Sequence, residues 1–365
     1  MRVNSIKLNN FRNISSLLLE ADSGVNVIYG ENAQGKTNIL EGIWLFTGCK
    51  SFRGSKDAEF IRFGEEFART ELCFEDSVRE KKSEIVFSEK KKLITLNEIP
   101  LKSTGELIGN FYAVIFAPNH LSLIKDGPSE RRKFIDTALC QLKPSYAKAL
   151  AGYRRALMQR NALLKDIHLN SGLYDMLDSW DEQLARYSAV VISERLKYVD
   201  ILSGYSGEIY SGISENKEKI SVTYSLSEAL DKNSSIDDIY ALQKKLLFES
   251  RKEDVTFKTT SVGPHRDDLE ILINGVSARS FGSQGQQRSC ALALKLGESE
   301  IIKKITGETP VALLDDVMSE LDEKRQDYVM NHIQDRQVFL TCCDPSQVLR
   351  LCGGKSFLVK GGELT

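Results

Sequence analysis

The run Gly30-Glu-Asn-Ala-Gln-Gly-Lys-Thr37 sets two glycines, a lysine and a hydroxyl at the spacing of a phosphate-binding loop. Glycines at both ends let backbone N–H groups turn inward around a phosphate. Lys36 supplies a point charge for the outer phosphates, and the Thr37 hydroxyl is a hard oxygen of the kind Mg²⁺ takes. Glu31, Asn32, Ala33, Gln34 and Gly35 complete the cradle. An apolar run from Val25 to Tyr29 predicts a buried strand before the loop. Ile39, Leu40, Ile43, Trp44 and Leu45 predict a helix after it, whose positive dipole end adds to the site. The letters alone also fit a glycine-rich turn with a surface lysine; the flanking strand and helix point to a nucleotide.

Far along the chain, Val311-Ala-Leu-Leu-Asp-Asp-Val-Met-Ser-Glu-Leu-Asp322 reads as an apolar strand ending in two carboxylates. Asp315 is expected to hold Mg²⁺, through water or the Thr37 hydroxyl, and Asp316 to orient or deprotonate an attacking water. Neighbours on a strand point to opposite faces, so both serve one site only where the chain is already turning. Ser283-Gln-Gly-Gln-Gln-Arg288 stands just ahead of a helical pattern through Cys290, Leu292, Leu294, Leu296, Ile301 and Ile302. Ser283, Gln284, Gly285 and Gln286 would form a second anion site at a helix N-terminus, which a single P-loop working alone does not need. Standing alone, the segment is an ordinary helix cap.

With Leu8-Asn-Asn-Phe-Arg-Asn13, Gly48-Cys-Lys-Ser-Phe-Arg53, Phe116-Ala-Pro118, Gly127-Pro-Ser-Glu-Arg-Arg-Lys-Phe-Ile-Asp136 and Gly263-Pro-His-Arg-Asp-Asp268 added to these motifs, the chain resembles the bacterial RecF family over nearly its full length. That family lies in the structural-maintenance-of-chromosomes (SMC) and Rad50 branch of ABC ATPases. The resemblance implies an α/β ABC-type ATPase head, split in sequence by an inserted helical arm. It implies ATP and Mg²⁺ as ligands, with Arg12 and Asn13 joining the ATP site. A head-to-tail, ATP-dependent homodimer follows, in which the Ser283 segment of one chain reaches the γ-phosphate on its partner's P-loop. The implied biology is recombinational repair and replication restart: binding duplex DNA and single-strand/double-strand junctions, and recruiting the RecR and RecO mediators that help load RecA. Two features depart from the wider ABC pattern. Asp316 is shorter than the glutamate of transport ATPases, so hydrolysis should be slow, a DNA-stimulated release step for a clamp. The run Gln337 to Thr341 ends without the usual histidine switch and offers Thr341, Cys342, Cys343 and Asp344 instead.

Three segments must position these groups. Residues 1–117 read as the strand-rich first part of the head, 118–255 as the arm, and 256–365 as the second part of the head. In the arm, Tyr146, Leu150, Tyr153, Leu157 and Leu164 recur at helical spacing; Asn170-Ser-Gly172 turns the chain; Leu173, Met176, Leu177, Trp180, Leu184, Tyr187 and Val191 resume the pattern. The aromatic stripe is read as arm core. A strand is expected from Lys219 to Leu226, and a mobile loop from Asp231 to Ser235.

Composition sets outer limits. With 49 Lys and Arg against 51 Asp and Glu, the net charge of −2 excludes a protein that coats DNA over its whole surface. DNA contact is expected instead from local groups: Lys50, Arg53 and Lys56 after the P-loop helix, Arg131, Arg132 and Lys133 at the arm base, and Arg154 and Arg155 on the first arm helix. The lysine runs Lys81-Lys82 and Lys90-Lys91-Lys92 are read as solvated flanks of an edge strand. Seven cysteines without a CxxC pair indicate reduced thiols in the cytoplasm, and the family resemblance implies association with the nucleoid there. His265 reads as a hydrogen-bonded loop histidine, and no apolar run has the length of a membrane span. Three other classes stay open: a transport ATPase, a nuclease-linked overcoming-lysogenisation-type ATPase, and a monomeric phosphotransferase. The first would share the Ser283 motif but has no use for the arm or the Gly263-Pro-His-Arg segment. The second needs an appended metal-dependent domain for which no carboxylate-rich segment remains, and the third has no use for Ser283 to Arg288.

Overall fold

The computed structural model describes residues 1–121, 123–226, 230, 234–346 and 353–364, with the side chains of residues 121, 168 and 169 left aside. Residues 231–233 of the expected loop lie outside the description. Residues 1–117 hold β1 (Arg2–Phe11), β2 (Ile14–Glu20), β3 (Val25–Tyr29), the P-loop helix (Lys36–Trp44), β4 (Phe67–Glu75), β5 (Glu80–Ser88), β6 (Lys92–Leu96), β7 (Ile99–Leu101) and β8 (Ala113–Phe116). Later come β9 (Ile220–Ser225), β10 (Asp268–Ile273), β11 (Val276–Ser277), β12 (Val311–Asp315), β13 (Val338–Cys342), β14 (Lys355–Lys360) and β15 (Glu363–Leu364).

The strands form three sheets among the described residues. An antiparallel sheet runs β2-β1-β4-β5-β6-β7, a largely parallel one runs β15-β14-β3-β13-β12-β8, and a small one runs β11-β10-β9. The sheet types follow from the residue patterns. β4 and β5 alternate buried and exposed residues, as one-sided antiparallel strands do. β12 and β13 are buried at every position, as central strands covered on both faces must be, and so is β8, which ends the strand order beside β12. Parallel pairing of β13 with both β3 and β12 brings the ends of strands from the two extremes of the sequence side by side. β5, expected as an edge, is corrected to an interior strand paired with β4 and β6. Of its two lysines, Lys82 is on the solvent face and pairs with Glu71 at 3.1 Å, whereas Lys81 is largely buried and pairs with Asp76 at 2.6 Å; β2 and β7 end the strand order.

The P-loop helix is wedged between the two large sheets, where Ile39, Leu40, Ile43 and Trp44 have no exposed surface. Leu8 of β1 packs so closely that a Cβ on Gly42 would stand 2.8 Å from it. Across the parallel sheet a second core joins β12 and β13 to the arm and to the helix Gln284–Thr306. The arm begins with Pro128–Leu142 and continues as two long helices, Pro144–Leu169 and Leu177–Ile213. Asn170 caps the turn between them by accepting the Gly172 N–H at 3.1 Å. Tyr146 and Tyr153 are buried, so the aromatic stripe is arm core. Gly152 lets the helices close, since a Cβ there would meet the Tyr187 ring at 2.5 Å.

Buried charge fixes the arm's far packing. Arg160 has no exposed surface and bonds Asp181 and Asp254, each at 2.6 Å, and Thr260 at 2.9 Å. Such a cluster is tolerable in a low dielectric only because every charge is answered. His265 bridges the Tyr153 hydroxyl at 2.5 Å and the Thr260 carbonyl at 3.0 Å, as a loop histidine. Burial holds its pKa down at about 4, so the ring is neutral. β9 pairs with β10 along its whole length, so the small sheet takes strands from both sides of residue 255.

Candidate nucleotide site

A cavity of about 450 Å³ opens at the ends of β3, β12 and β13, lined by Arg12, Asn13, Asn32 to Asn38, Arg53, Asp315, Asp316 and Thr341. Backbone strain shapes the loop at its mouth. Gly30 has φ 148°, and a Cβ there would stand 2.4 Å from the Val359 carbonyl oxygen. Gly35 has φ 111° and a Cβ there would meet the Asn13 side chain at 2.8 Å. Neither position admits another residue. Asn13 ties the loop down, donating to the Ala33 carbonyl at 3.2 Å and accepting from Asn38 at 2.7 Å. Gln34 accepts the Gly361 N–H at 2.6 Å, which anchors the loop to the turn between β14 and β15.

Lys36 is buried, and its ammonium donates to the carbonyls of Gly30 at 2.6 Å and Glu31 at 2.8 Å. The cation is thus folded over the cradle that its own loop makes, ready to exchange carbonyl partners for phosphate oxygens. Cys343 Sγ lies 4.0 Å from the same ammonium.

Thr37 and Asp315, 278 residues apart, meet through a 2.7 Å hydrogen bond from the Thr37 hydroxyl to Asp315 Oδ1. The Thr341 hydroxyl donates to the same oxygen at 2.9 Å and accepts the Asp316 N–H at 2.9 Å. Burial raises the Asp315 pKa against the lowering effect of the two hydroxyls. A hydroxyl and a carboxylate oxygen converging in a phosphate cradle fit Mg²⁺, which favours hard oxygens and keeps several waters. Thr37 and Asp315 would hold it; when bound, it would neutralise charge on phosphate oxygens.

The turn expected after Asp315 is present. Asp316 has φ 50°, a left-handed conformation unusual for a non-glycine residue, and this swings its carboxylate to the cavity that Asp315 also lines. A backbone held there needs over-determination from its surroundings. Thr341 supplies it through the Asp316 N–H, and Ser319 through the Asp316 carbonyl at 2.8 Å. Thr341 therefore occupies the place where a switch residue was sought; Cys342 is buried behind it and Cys343 is exposed.

The Ser283 segment is elsewhere. Ser283 caps the helix Gln284–Thr306 in a capping box, its Oγ accepting the Gln286 N–H at 3.2 Å and its N–H donating to Gln286 Oε1 at 2.8 Å. Gln286 in turn donates to Glu218 at 2.6 Å. No residue from Ser283 to Arg288 lines the nucleotide cavity. Arg288 pairs with Glu320 at 2.8 Å, and Arg325 donates to the Gly285 carbonyl at 3.0 Å, so the segment is braced against the loop that follows β12.

The chain matches the family model described as the RecF/RecN/SMC N terminal domain over residues 2–351. It is 44% identical over 343 residues to the DNA replication and repair protein RecF of Agathobacter rectalis, covering 94% of this chain and 92% of that protein. The solved structure of the recombination mediator protein RecF-ATP in the RecFOR pathway superposes with a TM-score of 0.92 at 40% identity, over 100% of this chain and 97% of that one. It belongs to the RecF family. An SMC head domain from Pyrococcus furiosus, at TM-score 0.56 and 16% identity over 100% of this chain and 95% of that one, shares the ABC-type head fold.

In this RecF-family chain the basic residues sort by their partners. Arg131 was expected at a DNA surface, and this is corrected: it is 2% exposed, chelates Asp268 at 2.7 and 2.8 Å, and donates to the Asp126 carbonyl at 2.6 Å. Arg132 donates to the Asp267 carbonyl at 2.7 Å. Arg53 is exposed, lines the nucleotide cavity and donates to Asn38 at 2.9 Å. Lys50, Lys56, Arg154 and Arg155 are exposed, with Arg154 bonded to Asp136 at 3.1 Å.

Sequence reasoning missed Glu41. It has no exposed surface and accepts from Arg12 Nε at 2.7 Å and Ser51 Oγ at 2.5 Å, with Arg53 3.7 Å away. One buried carboxylate thus aims both cavity arginines. An acid inside the apolar repeat Ile39, Leu40, Ile43, Trp44 was the available signal, since a buried acid demands cationic partners.

Proposed function

We propose that the protein is an ATP-dependent DNA clamp acting in replication and recombinational repair, which dimerises head-to-tail on ATP and is released by slow, DNA-stimulated hydrolysis. One observation carries the reading: the phosphate cradle is complete except for the Ser283 segment, which lies exposed at a helix N-terminus outside the cavity. A second copy, turned head to tail, would bring that N-terminus to the γ-phosphate, and both sites would close together. Asp316 would orient or deprotonate the water, Lys36 would bind the outer phosphates, and Arg12 and Arg53 would face the nucleotide from the opposite wall.

The RecF relatives support the pathway. By that likeness the clamp binds duplex DNA and single-strand/double-strand junctions and recruits RecR and RecO to help load RecA. Exposed Lys50, Arg53, Lys56, Lys133, Arg154 and Arg155 are the DNA candidates, and phosphate contacts from them give affinity without sequence preference. Residues 1–117 and 256–365 act as the head and 118–255 as the arm. No helix among the described residues is long and apolar enough to cross a membrane; the clamp works in the nucleoid-associated cytoplasm.

Sedimentation with and without ATP tests the proposal. The wild type should shift to a dimer with ATP, and Lys36→Met should stay monomeric. A Lys36→Met protein that dimerises at wild-type ATP affinity sinks the assignment.

A further inference from the structure

Behind the nucleotide site lies a second, larger cavity of about 610 Å³, between the end of the P-loop helix and the base of the arm. Its walls are apolar: Trp44, Phe52, Ile108, Leu123, Phe134 and Leu150. Its size is that of small-ligand pockets generally, about 300–1,000 Å³, and it sits at a junction between structural units, where such pockets concentrate.

Charge around the cavity is biased. Lys50, Lys133, Arg154 and Lys295 line it against Glu130 and Asp136. Asp136 is already engaged by Tyr146 at 2.6 Å and by Arg195 at 2.8 Å. Lys295 is buried against Glu298 at 2.5 Å, while Lys133 is half-exposed and, among the described residues, held by a 3.7 Å contact to Glu130. His120, also in the wall, is kept neutral by burial and by the charges of Lys295 and Lys133, consistent with a positive interior.

The wall facing the nucleotide is a single loop. Cys49, Lys50, Ser51 and Phe52 line this cavity, and Arg53, next in sequence, lines the nucleotide cavity. Ser51 Oγ bonds Glu41, the same carboxylate that aims Arg12. Anything that shifts residues 48–53 from one side therefore moves two arginines on the other.

We propose that this cavity binds a small amphipathic anion, an aromatic or aliphatic body with one carboxylate or sulfonate, and that its occupancy is coupled to ATP through the Gly48–Arg53 loop. The apolar walls take the body, and Lys133 and Lys50 at the mouth take the charge. Binding stands independently of the nucleotide reading; the coupling rests on it. By linkage, whatever the anion does to ATP affinity, ATP must do to the anion's by the same factor.

The test uses 8-anilinonaphthalene-1-sulfonate with the full chain. Its emission should rise to saturation at one site per chain, with quenching of Trp44, one of only two tryptophans. Ala147→Phe, which narrows the mouth, and Lys133→Glu, which reverses its charge, should each weaken binding about tenfold or more while circular dichroism stays native. ATP at saturation should shift the probe's Kd at least threefold. Direct titration with a fluorescent nucleotide, without the probe, shows separately whether ATP binds. Unsaturable emission, or emission indifferent to both variants, refutes the site. An unchanged Kd in a sample that demonstrably binds nucleotide refutes the coupling and leaves the nucleotide reading intact.

Discussion

Asp315 and Asp316 are neighbours in different surroundings, the first buried and the second partly exposed, and substitutions separate them. Burial raises the Asp315 pKa, so folding favours its protonated form; the stability this contributes is present at low pH and lost as pH rises through the raised value. Asp315→Asn keeps an acceptor for Thr37 and Thr341 but removes the buried charge. It should raise the melting temperature of the nucleotide-free protein at pH 7 by roughly 1–3 °C and abolish Mg²⁺-dependent ATP turnover. Calorimetry and a phosphate-release assay read the two effects; a fall in melting temperature would contradict the stated cause of the shift. For the same reason, Mg²⁺-dependent nucleotide binding should weaken on acidification from a higher pH than an ordinary carboxylate would set. Asp316→Asn can still orient water but cannot accept its proton. Turnover should drop by a factor on the order of 10² to 10⁴, and the ATP dimer should live longer. Unchanged turnover would assign water activation to another group. Glu320 is then a poor substitute as it stands, because Arg288 holds it at the Ser283 segment.

At the scale of elements, the arm's two helices are locked by charge as much as by apolar contact. Arg160→Leu should cost about 3–5 kcal/mol, because it removes the cation that pairs with Asp254 in the interior and leaves Asp181 to Arg251 alone. A urea midpoint shifted by less than about 1 kcal/mol would mean that water reaches the cluster. This network also shows where sequence reading stops. Helical spacing located both arm helices, because Tyr146, Tyr153 and Leu164 repeat on one face and that face is buried. Nothing in the spacing of Arg160, Asp181 and Asp254 announces that they meet, since pairing across the fold leaves no period in the chain. Arg131 was misread for the same reason: beside Arg132 and Lys133 it looks like a solvated cluster, and only the fold brings Asp268 to it. The nucleotide loop was legible because its function needs a contiguous run of backbone amides. Asp316 was legible too, from the turn that a strand end requires, and Glu41 left only the trace of an acid inside an apolar repeat; that it aims Arg12 and stands by Arg53 is a tertiary contact no spacing announces.

For the whole molecule, the separation of Ser283 from Lys36 would, in the proposed head-to-tail pair, make function a property of two chains, and mixing damaged copies tests this directly. Ser283→Arg puts a bulky cation where the partner's γ-phosphate must enter, and it also removes the cap from the helix Gln284–Thr306, worth about 1 kcal/mol. That loss is small against the core holding the helix, so the monomer should fold and bind ATP nearly normally through its own P-loop. Dimerisation should fail. Lys36→Met fails for the opposite reason, a damaged P-loop beside an intact Ser283 segment. A head-to-tail pair of the two variants contains one composite site built from both intact halves and one that is doubly damaged. Mixing should therefore restore up to about half of the wild-type dimer signal and turnover per pair, although each variant alone has neither. Retention of duplex DNA at matched salt should recover in parallel if the dimer is the clamp proposed above. If Ser283→Arg alone dimerises and holds duplex as the wild type does, the Ser283 segment has no role across the interface, and an enzyme working through one P-loop becomes the better account of this fold.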